Sequence, residues 1–349
     1  MSSMMRAVVQ DRFGAPDVLK LTTVPVPVPA QGEALVRVRA CGLNSHDLLV
    51  RSGEYPATEA FPHILGGDIA GEVAAFGDGC RRGFSKGDRV VLYWQRACGI
   101  CESCRRGKRT TCLRYRYLGT QINGGYAEYV VVPEENLVAL GEFDDWTSAA
   151  AFPMSFGTAW RALFTRGEMK ASDTVLIQGA STGVGLAAVQ IAKLAGARVI
   201  ATAGSEKKLE VISRLGADVV INYAKTDLRS EILKITGKRG VDLVLDAVGG
   251  ELWAEVIGSL TRHGRVVICG AAAGPNLAMH AYQVFEKELS VLGSNSAALN
   301  ELESAVERLK TGELSPVVDQ VLSLEDAAHG HELLEKRAQF GKLVLDLAL

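Results

Sequence analysis

The sequence predicts an α/β fold of two domains, one β-rich and one doubly wound around a parallel sheet. The chain has 349 residues, which exceeds the roughly 50 to 200 that a single domain usually holds. Short alternating segments fill its first part, and continuous apolar strands followed by helices fill its second part. These observations predict one domain at residues 1–155 with 292–349 and another at residues 156–291.

The first domain is predicted to contain antiparallel strands, because apolar and polar residues alternate in short segments bounded by Gly and Pro. The predicted strands are residues 5–9, 19–24, 33–40, 70–75, 89–93 and 126–133. Pro25, Pro27 and Pro29 separate the second strand from the third, since proline cannot donate to a strand ladder.

The second domain is predicted to hold a parallel sheet, because its apolar strands alternate with amphipathic helices that cover both faces. The predicted strands are residues 174–178, 198–202, 219–221, 242–246, 265–269 and 288–292. Helices are expected to begin at Gly183 and Ser205. After Gly293, helices at 299–310 and 326–336 and a strand at 342–347 are expected to return to the first domain.

A glycine-rich turn between a strand and a helix predicts a dinucleotide site. Residues 175–185 read VLIQGASTGVG. Gly179 permits a tight turn, and Gly183 and Gly185 let backbone amides approach a pyrophosphate at a helix N-terminus. Thr182 stands where a third glycine is common, and its hydroxyl could itself bind a phosphate. The alternative for the whole segment is a glycine turn that binds no ligand. The predicted contacts are Gly179, Ser181, Thr182, Gly183, Val184 and Gly185.

The residues after the second strand of this domain indicate the choice of cofactor. NAD sites usually place an acid there to bind the ribose diol, whereas this chain has Ala203 followed by small residues and lysines. NADPH is therefore favoured over NADH. Glu206 argues for NADH, unless it is only a first-turn carboxylate stabilised by the helix dipole. The predicted contacts are Gly204, Ser205, Lys208 and, for the adenosine side, Tyr223.

Four cysteines within one short loop predict one structural zinc ion. Cys98, Cys101, Cys104 and Cys112 have the spacing C-x2-C-x2-C-x7-C, and four thiolates leave no open coordination position. The other three cysteines, Cys41, Cys80 and Cys269, are interpreted as small packed side chains. Basic residues in the loop raise the alternative of a nucleic-acid module, which the near-neutral chain disfavours.

Composition excludes several classes of function. Hydrophobic residues make up 48% and charged residues 22%, and the net charge of −2 gives no general attraction to nucleic acid or to anionic membranes. No run of about 18 apolar residues suggests a membrane span, and no signal peptide is evident. We therefore expect a cytoplasmic protein with reduced cysteines.

Five segments together resemble the medium-chain dehydrogenase/reductase superfamily over essentially the whole chain. They are CGLNSHD at 41–47, PHILGGDIAGEV at 62–73, NGGYAEYVVVP at 123–133, the cysteine loop and the glycine-rich turn. The resemblance implies a GroES-like catalytic domain and a Rossmann cofactor domain. It also implies a homo-dimer or homo-tetramer formed by edge pairing of the cofactor-domain sheet.

The resemblance includes a structural zinc but not a catalytic one. In zinc alcohol dehydrogenases two cysteines and a histidine hold the catalytic metal, and the matching positions here are Asn44, Gly67 and Met154. None is a good zinc ligand. Asn44-x-x-Asp47 followed by Gly66-x-Asp68 is similar to the quinone oxidoreductase and enoyl reductase branches, which work without catalytic metal.

Without a metal Lewis acid, the resemblance implies an activated substrate such as a conjugated enone or a quinone. Tyr55 matches, in its spacing from Asn44, the proton-donating tyrosine of the enoyl reductases; the alternative is an aromatic that only lines the cleft. Asn44 is expected to be a second polar contact, and Asp47 to orient the loop. The nicotinamide is expected near Gly270 and Thr158.

Three functions follow for testing. The first is an NADPH-dependent reductase of conjugated double bonds or quinones. The second is a zinc alcohol dehydrogenase with atypical ligands, which would hold two zinc ions per chain instead of one. The third is a non-catalytic NADP(H)-binding sensor or structural protein, which would bind NADPH without oxidising it.

Overall fold

The chain folds into two units, each built around its own sheet. The computed structural model describes residues 3–55, 60–337 and 339–349. One unit comprises Met1–Met154 and Ala298–Leu349, and the other comprises Ser155–Ala297. The predicted return at residue 292 is therefore too early, because Leu292 and Gly293 still pair with Val267 and Ile268 in the parallel sheet.

Nine strands and the first helices form the N-terminal part of the chain. The strands are β1 (Met4–Gln10), β2 (Leu19–Pro25), β3 (Glu33–Gly42), β4 (Asp68–Phe76), β5 (Arg89–Leu92), β6 (Gln95–Arg96), β7 (Arg116–Tyr117), β8 (Tyr129–Pro133) and β9 (Leu137–Ala139). The helices are α1 (Ser45–Ser52), α2 (Glu102–Arg105), α3 (Trp146–Ala151) and α4 (Pro153–Trp160). Strands β1 and β2 pair antiparallel. Strand β8 begins three residues later than the predicted strand at 126.

Six parallel strands form the sheet of the second unit in the order β12-β11-β10-β13-β14-β15. They are β10 (Thr174–Gln178), β11 (Arg198–Ala203), β12 (Val219–Asn222), β13 (Val241–Asp246), β14 (Leu260–Ile268) and β15 (Ser290–Gly293). The helices between them are α5 (Gly183–Leu194), α6 (Glu206–Arg214), α7 (Leu228–Ile235), α8 (Trp253–Gly258) and α9 (Ala281–Glu286). All five residues of β10 are buried, as expected of a strand covered on both faces. The doubly wound prediction is confirmed.

The C-terminal segment completes the sheet of the first unit. Its elements are α10 (Leu299–Lys310), β16 (Val318–Ser323), α11 (Ala327–Glu335) and β17 (Lys342–Asp346). The main sheet runs β16-β17-β3-β4-β5-β9, and β8 also pairs with β3. Because Gly42 pairs with Val344 on β17 and with Asp68 on β4, the start of β17 lies beside the end of β3. This pairing positions the polar cluster described below.

No helix in the described part of the chain is both long and apolar enough to cross a bilayer.

Candidate functional site

The four predicted zinc ligands converge in space between β6 and β7. Their sulfur atoms all lie within 4.8 Å of one another, and Cys101 Sγ is 3.8 Å from Cys112 Sγ. A tetrahedral zinc with bonds of about 2.3 Å separates its sulfur ligands by about 3.8 Å. The cluster therefore fits one structural zinc ion.

Backbone amides around the cluster favour ionised sulfur. Cys112 Sγ accepts hydrogen bonds from the N–H groups of Cys98 at 3.2 Å and Arg114 at 3.3 Å. The Ile100 N–H lowers the pKa of Cys98 to about 6, whereas burial raises the pKa of Cys104. Four adjacent thiolates repel one another, so a bound cation is needed to keep all of them ionised.

The glycine-rich turn starts helix α5 in the geometry of an anion site. The first N–H groups of a helix have no partner within the helix and can donate to a phosphate. Gly179 has φ of +72°, a conformation that glycine adopts without strain. Ser181, Gly183 and Val184 are half-buried at the helix start.

The Thr182 hydroxyl, predicted as a phosphate ligand, makes hydrogen bonds within the turn. It donates to the Gly179 carbonyl and accepts from the Gly185 N–H, both at 3.0 Å. Thr182 is thus the N-cap of α5, a position that threonine favours because its oxygen satisfies a free helix amide. Its side chain holds the turn closed, and its contact with a phosphate stays a prediction.

Loops that follow neighbouring strands meet at the turn. A Cβ atom on Gly179 would lie 2.3 Å from Val248 Cγ2, and one on Gly270 would lie 2.7 Å from the Ala247 carbonyl. Buried Asp246 orders this edge, because its Oδ1 accepts from the N–H groups of Val248 and Gly249. Ligands of doubly wound folds bind outside this carboxyl edge of the sheet.

Gly185 permits close packing of α5 on the glycine-rich turn. A Cβ at this position would lie 2.3 Å from the Gly179 carbonyl oxygen. We expect Gly185→Ala to lower the free energy of unfolding by about 1–3 kcal/mol, the usual cost of overpacking. Gly293→Ala is the matched control in thermal melts, because a Cβ there meets nothing within 4 Å. Equal melting temperatures of the two variants would contradict this packing.

The region after β11 holds the residues predicted to choose the cofactor. Gly204 and Ser205 are exposed, and a Cβ on Gly204 would lie 2.9 Å from Tyr223 Oη. The Glu206 carboxylate is paired with Lys225 at 2.8 Å and accepts from Asn222 at 2.7 Å. These contacts lower its pKa and engage it within the protein. Helix α6 begins at Glu206, with Ser205 as its N-cap. Thr158 is half-buried on α4, and its cofactor contact stays a prediction.

Asn44 belongs to a polar cluster at the start of α1. Lys342 Nζ donates to Asn44 Oδ1 at 2.6 Å and to Asp68 Oδ2 at 2.7 Å, and Asn44 Nδ2 donates to Asp68 Oδ2 at 3.0 Å. Asp68 Oδ1 accepts from the Met154 N–H at 2.7 Å. The side chains of Lys342 and Asp68 are 5% and 0% exposed. The ion pair is thus buried and hydrogen-bonded, as such pairs require.

The predicted equivalents of the catalytic zinc ligands do not fit a metal. A Cβ on Gly67 would lie 2.4 Å from Met154 Cε, so the Met154 side chain fills the space in which a histidine at 67 would begin. The Lys342 ammonium already binds the Asn44 oxygen, and its charge repels a divalent cation. The residues at these three positions therefore do not form the three-ligand set that a catalytic zinc requires.

Asp47 has a positioning geometry. It is 1% exposed, and its Oδ2 accepts from the Asn44 N–H at 2.9 Å and the Tyr126 hydroxyl at 3.2 Å. Tyr126 Oη is 3.1 Å from His331 Nε2, and His331 Nδ1 is 3.1 Å from Arg51 NH1. Because arginine only donates, His331 accepts at Nδ1 and donates from Nε2 to Tyr126. In this network Arg51 donates to His331, His331 donates to Tyr126, and Tyr126 donates to the Asp47 carboxylate.

The buried position of Asp47 disfavours the charged form of its carboxyl group. Burial raises its pKa to about 7, against the lowering effect of the Asn44 N–H. Burial, with the Arg51 charge, lowers the pKa of His331 to about 3 and keeps that imidazole neutral. Asp47 holds the backbone of Asn44 from a buried position, and its part in the reaction stays a prediction.

Tyr55 lies among aromatic side chains contributed by α1 and by the segment after the zinc ligands. Its hydroxyl is 3.3 Å from the Tyr115 hydroxyl, and its ring packs edge-on against His46 with centroids 4.5 Å apart. Burial and the Tyr115 hydrogen bond raise the pKa of Tyr55. It is therefore a neutral phenol that can donate a hydrogen bond, and its role in proton transfer stays a prediction.

Sequence reasoning missed five residues of these clusters: Lys342, Tyr126, His331, Arg51 and Tyr115. Only Lys342 carried a usable signal, because it is a charge that directly precedes the apolar run LVL of the strand KLVLD. A buried charge of this kind is rare without a partner.

Comparison with known proteins shows the family. Residues 30–142 match the alcohol dehydrogenase GroES-like domain, and residues 183–311 match the zinc-binding dehydrogenase family. The chain belongs to the medium-chain dehydrogenase/reductase superfamily, among its alcohol dehydrogenase-like and quinone oxidoreductase-like members. It is an NAD(P)H-dependent oxidoreductase with a Rossmann-like cofactor domain and a GroES-like domain.

The chain is similar to oxidoreductases that are named for different substrates. Quinone oxidoreductase of Homo sapiens is 31% identical, with 98% of each chain covered. Acryloyl-coenzyme A reductase of Metallosphaera sedula is 30% identical over 91% of this chain and 93% of its own. The crystal structure of an NAD-dependent alcohol dehydrogenase is 44% identical, with a TM-score of 0.94, 98% of this chain covered and 100% of that chain.

Proposed function

We propose that this oxidoreductase uses NADPH to reduce a conjugated double bond or a quinone without catalytic zinc. The observation that supports the proposal is the Lys342–Asp68–Asn44 cluster: Asn44, at a position where the zinc alcohol dehydrogenases have a metal ligand, is hydrogen-bonded to a buried ion pair instead. Reduction of a simple aldehyde would lose the charge stabilisation that a metal supplies. A conjugated substrate spreads the developing negative charge over several atoms, so its reduction depends less on a metal ion.

The residues of the chain have distinct parts in this reaction. The N-terminus of α5, with Gly183 and Val184, would hold the pyrophosphate of NADPH, which supplies hydride to the β-carbon of the substrate. The π electrons of the double bond then move towards the carbonyl oxygen, where Asn44 would donate a hydrogen bond. Tyr55 would transfer its proton to the α-carbon and recover one from water.

The preference for NADPH rests on the residues after β11. Glu206 is engaged by Lys225 and Asn222, while Ser205 is exposed and Lys208 half-buried in the next helix. The proposed ribose-phosphate ligands are therefore Ser205 and Lys208, with Tyr223 beside Gly204 on the adenosine side.

We expect Lys208→Ala to raise KM for NADPH about tenfold and to leave KM for NADH nearly unchanged, because a charge-assisted hydrogen bond contributes about 1.5–3 kcal/mol. Lys234→Ala is the control, since that lysine is exposed on α7 of the same unit. An equal change for both cofactors would remove Lys208 from phosphate recognition.

The second candidate is a zinc-dependent alcohol dehydrogenase, and the observation that favours an alcohol dehydrogenase is the 44% identity to a solved NAD-dependent alcohol dehydrogenase. Metal analysis during turnover separates the two. The proposed reductase should oxidise NADPH with an enone while holding one zinc per chain, in the four-cysteine site. Two zinc ions per chain, with activity that follows the second, would support the alcohol dehydrogenase.

We also propose that the protein works in the cytoplasm as a homo-dimer or homo-tetramer. Strand β15 ends the order of the parallel sheet, and unpaired strand edges favour pairing with another chain. The preceding helix exposes Tyr282 and Phe285, and clustered apolar surface of this kind marks association sites. None of the seven cysteines forms a disulfide, which fits a reducing compartment.

A further inference from the structure

Lys342 brings a buried positive charge to Asn44 from the far end of the chain. The two residues are 298 positions apart, and their contact depends on the pairing of β17 with β3. Lys342 Nζ binds Asn44 Oδ1 and Asp68 Oδ2 at 2.6 and 2.7 Å. Its side chain is 5% exposed, so these contacts replace water around the ammonium group.

The three side chains form a closed ring of three hydrogen bonds. An ammonium group only donates and a carboxylate only accepts. The amide of Asn44 must therefore turn its oxygen to Lys342 and its nitrogen to Asp68, as the distances show. The second hydrogen on Nδ2 then has one defined direction, while the Asp47 carboxylate holds the Asn44 backbone.

We infer that Lys342 is a positioning residue for the reduction: it sets the orientation of the Asn44 amide and polarises its N–H towards the substrate oxygen. This inference rests on the proposed function. As hydride adds to the conjugated carbon, negative charge accumulates on the carbonyl oxygen, and a preorganised donor beside a fixed cation stabilises that charge. Lys342 thus provides, through Asn44, the positive charge that a metal ion would otherwise provide.

A structural role for the Lys342–Asp68 pair can be separated from this role. Removal of one partner alone leaves a buried unpaired charge, which is strongly destabilising. The double variant Asp68→Asn/Lys342→Gln instead replaces the pair by two neutral amides of similar size. Each new amide can donate or accept, so neither the orientation of Asn44 nor the positive charge is preserved.

We expect the double variant to fold and to keep its KM for NADPH, while kcat with an enone falls at least about tenfold, since loss of one oxyanion donor costs about 10²–10³ in kcat. The matched control is Arg39→Gln/Glu72→Gln, which neutralises a half-buried ion pair on β3 and β4 of the same unit. That control should keep the kcat of the unmodified protein.

Each outcome has a separate meaning. Full kcat in the folded double variant overturns the role of Lys342, while enone reduction by the unmodified protein leaves the proposed function standing. Failure of the unmodified protein to oxidise NADPH with any enone or quinone overturns the proposed function itself. If the double variant does not fold, Asn44→Asp removes the amide donor and keeps the Lys342–Asp68 pair. Full kcat in Asn44→Asp also overturns the inference.

Discussion

Tyr55→Phe should lower kcat for an enone by about 10² and leave the Kd for NADPH unchanged, since proton transfer by a positioned side chain contributes about 10²–10⁴ in rate. The variant keeps the ring that packs against His46 and removes only the hydroxyl that meets Tyr115. Steady-state kinetics with an enone, together with a fluorescence titration of NADPH, separate the two effects.

Tyr129→Phe is the matched control, because Tyr129 is another half-buried tyrosine of the same unit, on β8. It should keep the kcat of the unmodified protein. If Tyr55→Phe reduces the enone at the same rate as the control, Tyr55 only lines the site. A rise in KM for the enone with unchanged kcat would give the hydroxyl a binding role and no proton-transfer role.

Cys112→Ser should reduce the zinc content from one per chain to almost none after dialysis. Cys112 is 2% exposed, its sulfur lies in the four-cysteine cluster, and a structural site needs all four ligands to be closed. We expect Tm to fall by at least about 5 °C, because 1 kcal/mol corresponds to roughly 2–4 °C in domains of 150–250 residues. Elemental analysis and thermal melts measure the two effects.

The same variant should also slow enone reduction, because Tyr115 lies three residues after Cys112 and its hydroxyl meets that of Tyr55. Cys80→Ser is the control: this free cysteine is half-buried and donates to the Glu33 carbonyl, which a serine hydroxyl can also do. Full zinc content and unchanged Tm in Cys112→Ser would place the metal elsewhere.

Local patterns explain which features the sequence could predict. The strand and helix around Gly179 follow from continuous apolar residues and the glycine spacing, and the zinc site follows from four cysteines in fifteen consecutive residues. Each of these signals lies within one short segment. Strand β16 was missed because its residues are half-buried or exposed and carry little apolar periodicity.

The remaining site residues depend on contacts between distant segments. Tyr115 reaches Tyr55 across 60 positions, and His331 reaches Tyr126 across 205. Lys342 contacts Asn44 only because β17 pairs with the C-terminal end of β3. Threonine suits a phosphate contact and a helix N-cap equally well, and the N-cap role of Thr182 follows only from its hydrogen bonds to Gly179 and Gly185.

The most direct test of metal-free conjugate reduction is NADPH oxidation with a small panel of substrates, in the presence and absence of a chelator. The panel contains an enone, an enal, a quinone, a crotonyl thioester and a simple saturated aldehyde. We expect turnover of one or more conjugated substrates, no turnover of the aldehyde, and no immediate effect of the chelator. Reduction of the aldehyde that is lost with the chelator would contradict the account and place a catalytic metal in this enzyme.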